Sequence, residues 1–208
     1  FPRLGDLQTQ RDIDKATLGF ALIGLPLGVQ VTLLFADRIV RRFNFRLVLM
    51  MGIPLLSISQ VLATLSESAY TFAGILMLGG AAIAVIEVAV NLEADRVEAH
   101  IGHRIMNRSH AYWSFGFFGA GILGAGFSQL GISPFSQFAL ITVLSSVLTI
   151  LFFAKYDAAK ARRQSVVETN KGFVWPSKGI FLLVFFSLSA MLVEGASIDW
   201  SVIFMRDI

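Results

Sequence analysis

The chain has 208 residues, 55% of them hydrophobic and 15% charged, with 17 Lys and Arg, 14 Asp and Glu, and no cysteine. Soluble domains carry about 25% charged residues, so a mean hydropathy of +0.71 leaves too little polar surface for a soluble enzyme or a disordered chain. Without cysteine there is no disulfide scaffold, no thiolate metal site and no cysteine nucleophile.

A helix that crosses a membrane needs about 20 mainly apolar residues, each rising about 1.5 Å. Runs of that kind predict six spans: Leu18–Ala36, Leu47–Leu65, Tyr70–Val90, Tyr112–Ile132, Phe135–Phe153 and Gly179–Met205. The runs are too long for barrel strands and lack alternating polarity. The fold class is therefore an all-α polytopic membrane protein. Tyr70, Tyr112, Trp113 and Tyr156 stand at span ends, where aromatic rings favour the interface.

In chain order, segment 1–17 balances Arg3, Arg11 and Lys15 against Asp6, Asp12 and Asp14. The first span carries Gly24 and Gly28, a small face suited to close helix packing. The loop after it holds Arg38, Arg41, Arg42 and Arg46, whereas Ser66–Ala69 holds only Glu67. On the third span Gly80, Ala84, Glu87 and Asn91 recur at helical spacing as a small-and-polar stripe, expected to line an aqueous path. The loop Asn91–Ala111 carries Arg96, Arg104 and Arg108 together with His100, His103 and His110.

The fourth span contains Gly119, Gly121 and Gly124 in the letters of a dinucleotide fingerprint. No strand precedes them and no acid follows at the required distance, so they read, with Gly116 and Gly126, as a packing face. Ser133–Pro134 is uncharged, and Ala154–Lys178 bears Lys155, Lys160, Arg162, Arg163, Lys171 and Lys178. Basic residues mark the cytoplasmic side of short loops. Ala154–Lys178 is therefore expected in the cytoplasm, with both chain ends on the other side. A chain beginning there without Met is expected to lack an upstream span.

The net charge of +3 then reflects topology and contact with lipid headgroups, and nucleic acid is not an expected partner. His100 and His103 lack the further ligands of a closed metal site. No HExxH pattern, Ser–His–Asp order or nucleophile elbow stands out, so neither an enzyme nor a cofactor is expected.

Three ionisable residues fall within the spans: Glu87, Glu194 and Asp199. An acid at a bilayer centre costs about 2.5–3.5 kcal/mol on insertion scales, so it usually faces a cavity or a partner. Burial raises a carboxyl pKa, and a carboxyl that binds and releases a proton as access alternates suits a proton-coupled transporter. The alternative for Glu87 is snorkelling to water or pairing with a loop arginine. Glu194 and Asp199 lie about 140° apart around a helix; Asp199, beside Trp200, also fits an interfacial position.

These residues resemble the major facilitator superfamily, in particular its fucose permease-like branch of small-solute permeases. Ala36-Asp37-Arg38 through Arg41, Arg42, Asn44 and Arg46 resembles the signature between the second and third spans, with Asn44 where a glycine is expected. Asparagine tolerates the same left-handed backbone. His110-Ala-Tyr-Trp113-Ser114-Phe-Gly116 resembles the branch's entry to the fifth span, and Glu194-Gly195 through Asp199-Trp200-Ser201 its seventh-span motif. The resemblance implies a partial major facilitator fold covering spans two to seven of twelve. Residues 1–153 would form most of the N-terminal half, 154–178 the loop between halves, and 179–208 the first helix of the second half.

It further implies a monomeric secondary transporter in the inner membrane, moving a small polar solute such as a sugar by proton symport. Glu87 and Glu194 would couple protons, Asn91, Asp199 and Trp200 would line the substrate cavity, and Asp37, Arg38 and Arg42 would form a cytoplasmic gate. Ile75 stands near the place of an arginine found in many drug exporters, and the antiporters' Gly-Pro ending of span five is missing. Both departures disfavour the alternatives of a drug or metabolite antiporter; a non-transporting solute sensor on the same frame is a further alternative.

Overall fold

Helices account for all regular structure among the residues that the computed structural model describes, 3–159 and 175–206, with the side chains of 198, 199, 202 and 206 outside it. They are α1 (Leu4–Arg11), α2 (Lys15–Leu22), α3 (Gly24–Arg42), α4 (Phe45–Leu65), α5 (Ala69–Ile101), α6 (Met106–Gln129), α7 (Pro134–Phe153) and α8 (Lys178–Arg206). Two units result, one of Asp6–Arg162 and one of Phe1–Gly5 with Arg163–Ile208.

Local chemistry sets the helix starts. Asp14, Asn44 and Ser133 each accept a hydrogen bond from the backbone N–H three residues on, which caps α2, α4 and α7. Ser68 and Thr71 form a reciprocal capping box at α5. Asn44 is extended at φ −72°, ψ 155°, not left-handed as the signature comparison suggested. Its side chain is worth more as a cap to the Leu47 N–H than its backbone would be in a turn.

The first predicted span is one 28-residue segment, Lys15–Arg42, broken at Ile23 between α2 and α3. Pro26 has no N–H for the Leu22 carbonyl and its ring crowds the preceding turn, so the ladder is interrupted there. Below the break α3 runs parallel to α5 at the closest approach in the unit. A Cβ on Gly24 would stand 2.2 Å from the Ala73 carbonyl oxygen, one on Gly28 2.0 Å from that of Met77, and one on Gly80 2.1 Å from that of Leu25. The packing face expected at Gly24 and Gly28 is thus present, and α5 completes it from the other side.

Opposite α3, α4 runs antiparallel to α5, with Ser59 and Gln60 near Gly79 and Ile86 near Gly52. α7 is antiparallel to α4. Ser57 and Ser145 hydroxyls meet at 3.0 Å, and the Thr142 hydroxyl donates to the Ser57 carbonyl at 3.1 Å. At the far end Phe45 and Phe153 rings lie 6.1 Å apart. That end, where α3 and α7 finish and α4 begins, carries Arg38, Arg41, Arg42 and Arg46 and is called the basic end below.

All six predicted spans are helical, and five of them are long and apolar enough by length and composition to cross a membrane among the described residues. α6 is the difference. Its 24 residues are long enough at about 1.5 Å each, but five glycines with Ser, Gln, Tyr and Trp dilute its apolarity. Its glycine face is also unlike that of α3. A Cβ on Gly116, Gly119, Gly121 or Gly126 would meet nothing within 4 Å.

Two predicted loops are largely helical. α5 has 33 residues, about 50 Å, so it outruns a hydrocarbon core of about 30 Å and includes Asn91–Ile101. It stops at Gly102, whose φ of 77° is a left-handed cap that costs glycine nothing. Segment 1–17 contains α1, whose Arg11 is fastened to the end of α4. Its guanidinium donates to the Ser66 hydroxyl at 2.8 Å, to the Leu7 carbonyl at 2.8 Å and to the Ala63 carbonyl. It also lies 4.5 Å from the Phe72 ring centre. A cation there satisfies carbonyls that the helix leaves unpaired and meets the negative end of its dipole. Burial lowers the Arg11 pKa from its ordinary value.

Candidate functional site

α5 positions most of the acidic chemistry. The stripe of Gly80, Ala84, Glu87 and Asn91 is split by packing: Gly80 and Ala84 are buried, and Glu87 and Asn91 are exposed. The small residues admit α3, as the carbonyl contacts at Gly80 show, so they do not line an open path along with the polar pair. Glu87 lies beyond that contact. Among the described residues, no hydrogen bond or ion pair reaches its carboxylate.

The residues expected at a gate are at the basic end of α3. Asp37 is paired by Arg41, whose Nε donates to both carboxylate oxygens at 2.8 and 2.9 Å. Arg38 and Arg42, the expected partners, are exposed on other faces. The four-residue spacing from Asp37 to Arg41 is the signal that would have found the pair. With side chains 62% and 75% exposed, it is screened by water and adds little to stability.

Glu194 lies on α8 with an exposed side chain, and Trp200 is 37% exposed. The Asp199 side chain lies outside the described residues, as do residues 160–174 of the expected basic loop. His100, His103 and His110 are exposed, and no group of three metal-ligating side chains occurs among the described residues.

Two acids that sequence reasoning passed over are structurally engaged. Glu98 reaches past Gly102 to accept the N–H groups of Ile105 at 2.7 Å and Met106 at 2.8 Å. It thereby caps α6, whose own N-cap residue offers no side-chain bond. Glu93, 4% exposed, accepts from the Tyr156 hydroxyl at 3.0 Å, from the Ala159 backbone N–H and from Arg96 Nη1 at 3.3 Å. A buried carboxylate with three donors is the arrangement its desolvation demands. Tyr156, expected as an interfacial ring, packs 5.4 Å from Phe45 and 5.9 Å from Phe153. Burial chiefly, then the Glu93 carboxylate, raises its phenol pKa from the ordinary value. Glu93 and Tyr156 come together only because α4 packs against both α5 and α7, a tertiary arrangement that no local sequence signal carries.

The fold and composition define a polytopic α-helical membrane protein. The chain is 27% identical over 199 residues to an uncharacterized MFS-type transporter of Yersinia pestis, covering 93% of this chain and 49% of the relative. It is 29% identical over 204 residues to an uncharacterized transporter of Sinorhizobium fredii, covering 94% and 52%. No family model and no solved structure matches. The resemblance to the major facilitator superfamily thus holds across nearly the whole chain, which is related to such transporters. The chain spans about half the length of the curated relatives it matches.

Proposed function

We propose that the full-length protein is a secondary transporter that moves a small polar solute, a sugar or related metabolite, by proton symport. Its place would be with the fucose permease-like permeases. The observation that carries the coupling role is Glu87, an acid on an apolar helix whose side chain stays exposed beside the α3 contact. A carboxylate so placed is expected to serve a cavity or a moving charge. Asn91, exposed one turn on, extends a polar flank toward the basic end.

On this reading Glu87 takes and releases the coupled proton, with Glu194 as a second carboxyl on α8. Asn91, Asp199 and Trp200 contribute to the solute cavity, and Asp37, Arg38 and Arg42 serve the gate. Residues 1–153 and 179–208 belong to two halves that rock about a midplane site. The basic end faces the cytoplasm of an inner membrane, as basic loops direct, and a monomer suffices.

The test is uptake of a panel of labelled monosaccharides into vesicles holding the full-length protein, under an inward proton gradient. The expected outcome is accumulation of at least one sugar, abolished by a protonophore and by Glu87→Gln. Gradient-driven extrusion, or accumulation that survives Glu87→Gln, contradicts the reading.

A further inference from the structure

The transport reading leaves Glu93, Asp95 and Glu98 on α5 unused, and of these Glu93 is the buried one. Two of its three donors, the Tyr156 hydroxyl and the Ala159 N–H, belong to the stretch that follows α7. The third, Arg96, lies one turn further along α5 itself and is 32% exposed. The carboxylate is therefore a bridge from α5 to the first residues of the segment leading to α8. It does not join two helices within the bundle.

The surroundings make that bridge stiff. Phe45, Val48, Leu49 and Ala89 form a buried cluster at the basic end, with Phe153 and Tyr156 packed against it. The Tyr156 ring is held on one side by this cluster, while its hydroxyl is drawn to Glu93. The rings alone would fix residue 156 and leave Ala159 free to swing. The hydrogen bond from the Ala159 N–H is what carries the restraint three residues beyond the aromatic contact.

Resting on the transporter reading, we propose that Glu93 is the positioning residue that fastens the start of the α7–α8 segment to α5. The helix that carries Glu87 and that segment then move as one body. Glu93 touches neither solute nor proton path in this role. It determines where the chain leaves the α3–α4–α5–α7 bundle, and so transmits displacement of α5 to whatever that segment joins.

The restraint at residue 159 can be read directly, by following labelling on the peptide that carries it. Ala159→Cys is placed in the full-length protein in detergent, and its labelling by N-ethylmaleimide is timed; Thr149→Cys, buried on α7, serves as the control for general loosening. Removing a buried charged acceptor frees both donors of the segment, so Glu93→Ala is expected to speed labelling at 159 by about tenfold. Tyr156→Phe keeps the ring packing and removes one donor; it is expected to give a rise of about threefold. Glu93→Gln, which still accepts a hydrogen bond, is expected to restore most of the protection. Labelling unchanged by Glu93→Ala and Tyr156→Phe overturns the proposal, and so does an equal rise at Thr149→Cys. The measurement uses no solute and no gradient, so its failure leaves the transport reading standing, and failure of uptake leaves the labelling result standing.

Discussion

Glu87 and Glu93 are two carboxylates on one helix, about 9 Å apart along its axis at about 1.5 Å per residue. Glu93 is 4% exposed with three donors, whereas Glu87 is exposed and engages none of the described residues. The difference follows from what each meets. Glu93 faces the end of α7, where a phenol and a free backbone N–H converge. Glu87 lies on α5 past Gly80, where the α3 and α5 backbones meet, and its side chain is exposed. An acid held by three donors is committed to structure, whereas the proposed proton carrier is the one that no described residue engages.

The largest effect that can break this contrast is functional. Glu87→Gln is expected to lower gradient-driven uptake by about a hundredfold, and Glu93→Gln by less than about tenfold, since only the first removes the proposed proton carrier. Parallel initial-rate measurements in vesicles check it. Equal losses would erase the distinction.

Stability should show the opposite order. Glu93→Ala strands a phenol and an N–H in a buried cluster and is expected to cost about 1–3 kcal/mol. Glu87→Ala is expected to fall within about 0.5 kcal/mol, as exposed changes do. Thermal unfolding in detergent compares them.

The seam beside Glu87 can be probed in the same way. Gly28→Ala sets a methyl 2.0 Å from the Met77 carbonyl oxygen, and forcing the helices apart is expected to cost about 1–3 kcal/mol. Gly119→Ala on α6, where a Cβ meets nothing within 4 Å, is expected to stabilise slightly, by at most about 1 kcal/mol. The two melting temperatures should therefore move in opposite directions.

The smallest expected effect is at Asp14, an acid that caps α2 at the other end of the molecule. Its hydrogen bonds with Thr17 lower its pKa. A depressed folded value means that its contribution is full above the ordinary carboxylate pKa and fades as pH falls through the lowered one. Exchange of the Thr17 amide hydrogen, corrected for intrinsic rate, is expected to lose protection only in strongly acidic buffer. Asp14→Asn, which can still cap, should lack that acid-side change.

The sequence carried the fold class because long apolar runs have few solutions in a membrane, and it placed the close approach at Gly24 and Gly28. The glycines of α6 suggested a packing face, but they dilute its apolarity and a Cβ at Gly116, Gly119, Gly121 or Gly126 meets no neighbour. The charges of Asn91–Ile101 end the apolar run but not the helix, which continues through them to Ile101. At the candidate site, the positions of Glu87 and Asn91 were legible from helical spacing. The burial of Gly80 and Ala84 was not, because a small residue that lines a path and one that admits a neighbouring helix look alike in sequence. Glu93 was invisible for a different reason: its donors stand more than sixty residues away, at 156 and 159.

The central claim is that Glu87, unbonded on α5, carries the coupled proton. It is tested most directly by comparing solute exchange with gradient-driven uptake in Glu87→Gln, in vesicles holding the full-length protein. Exchange of labelled for unlabelled sugar across a membrane without a gradient needs no net proton release. The account predicts that the variant exchanges at a rate within about threefold of the unaltered protein while accumulating no sugar against its gradient. Accumulation at the unaltered level, or equal loss of exchange and uptake, would contradict it.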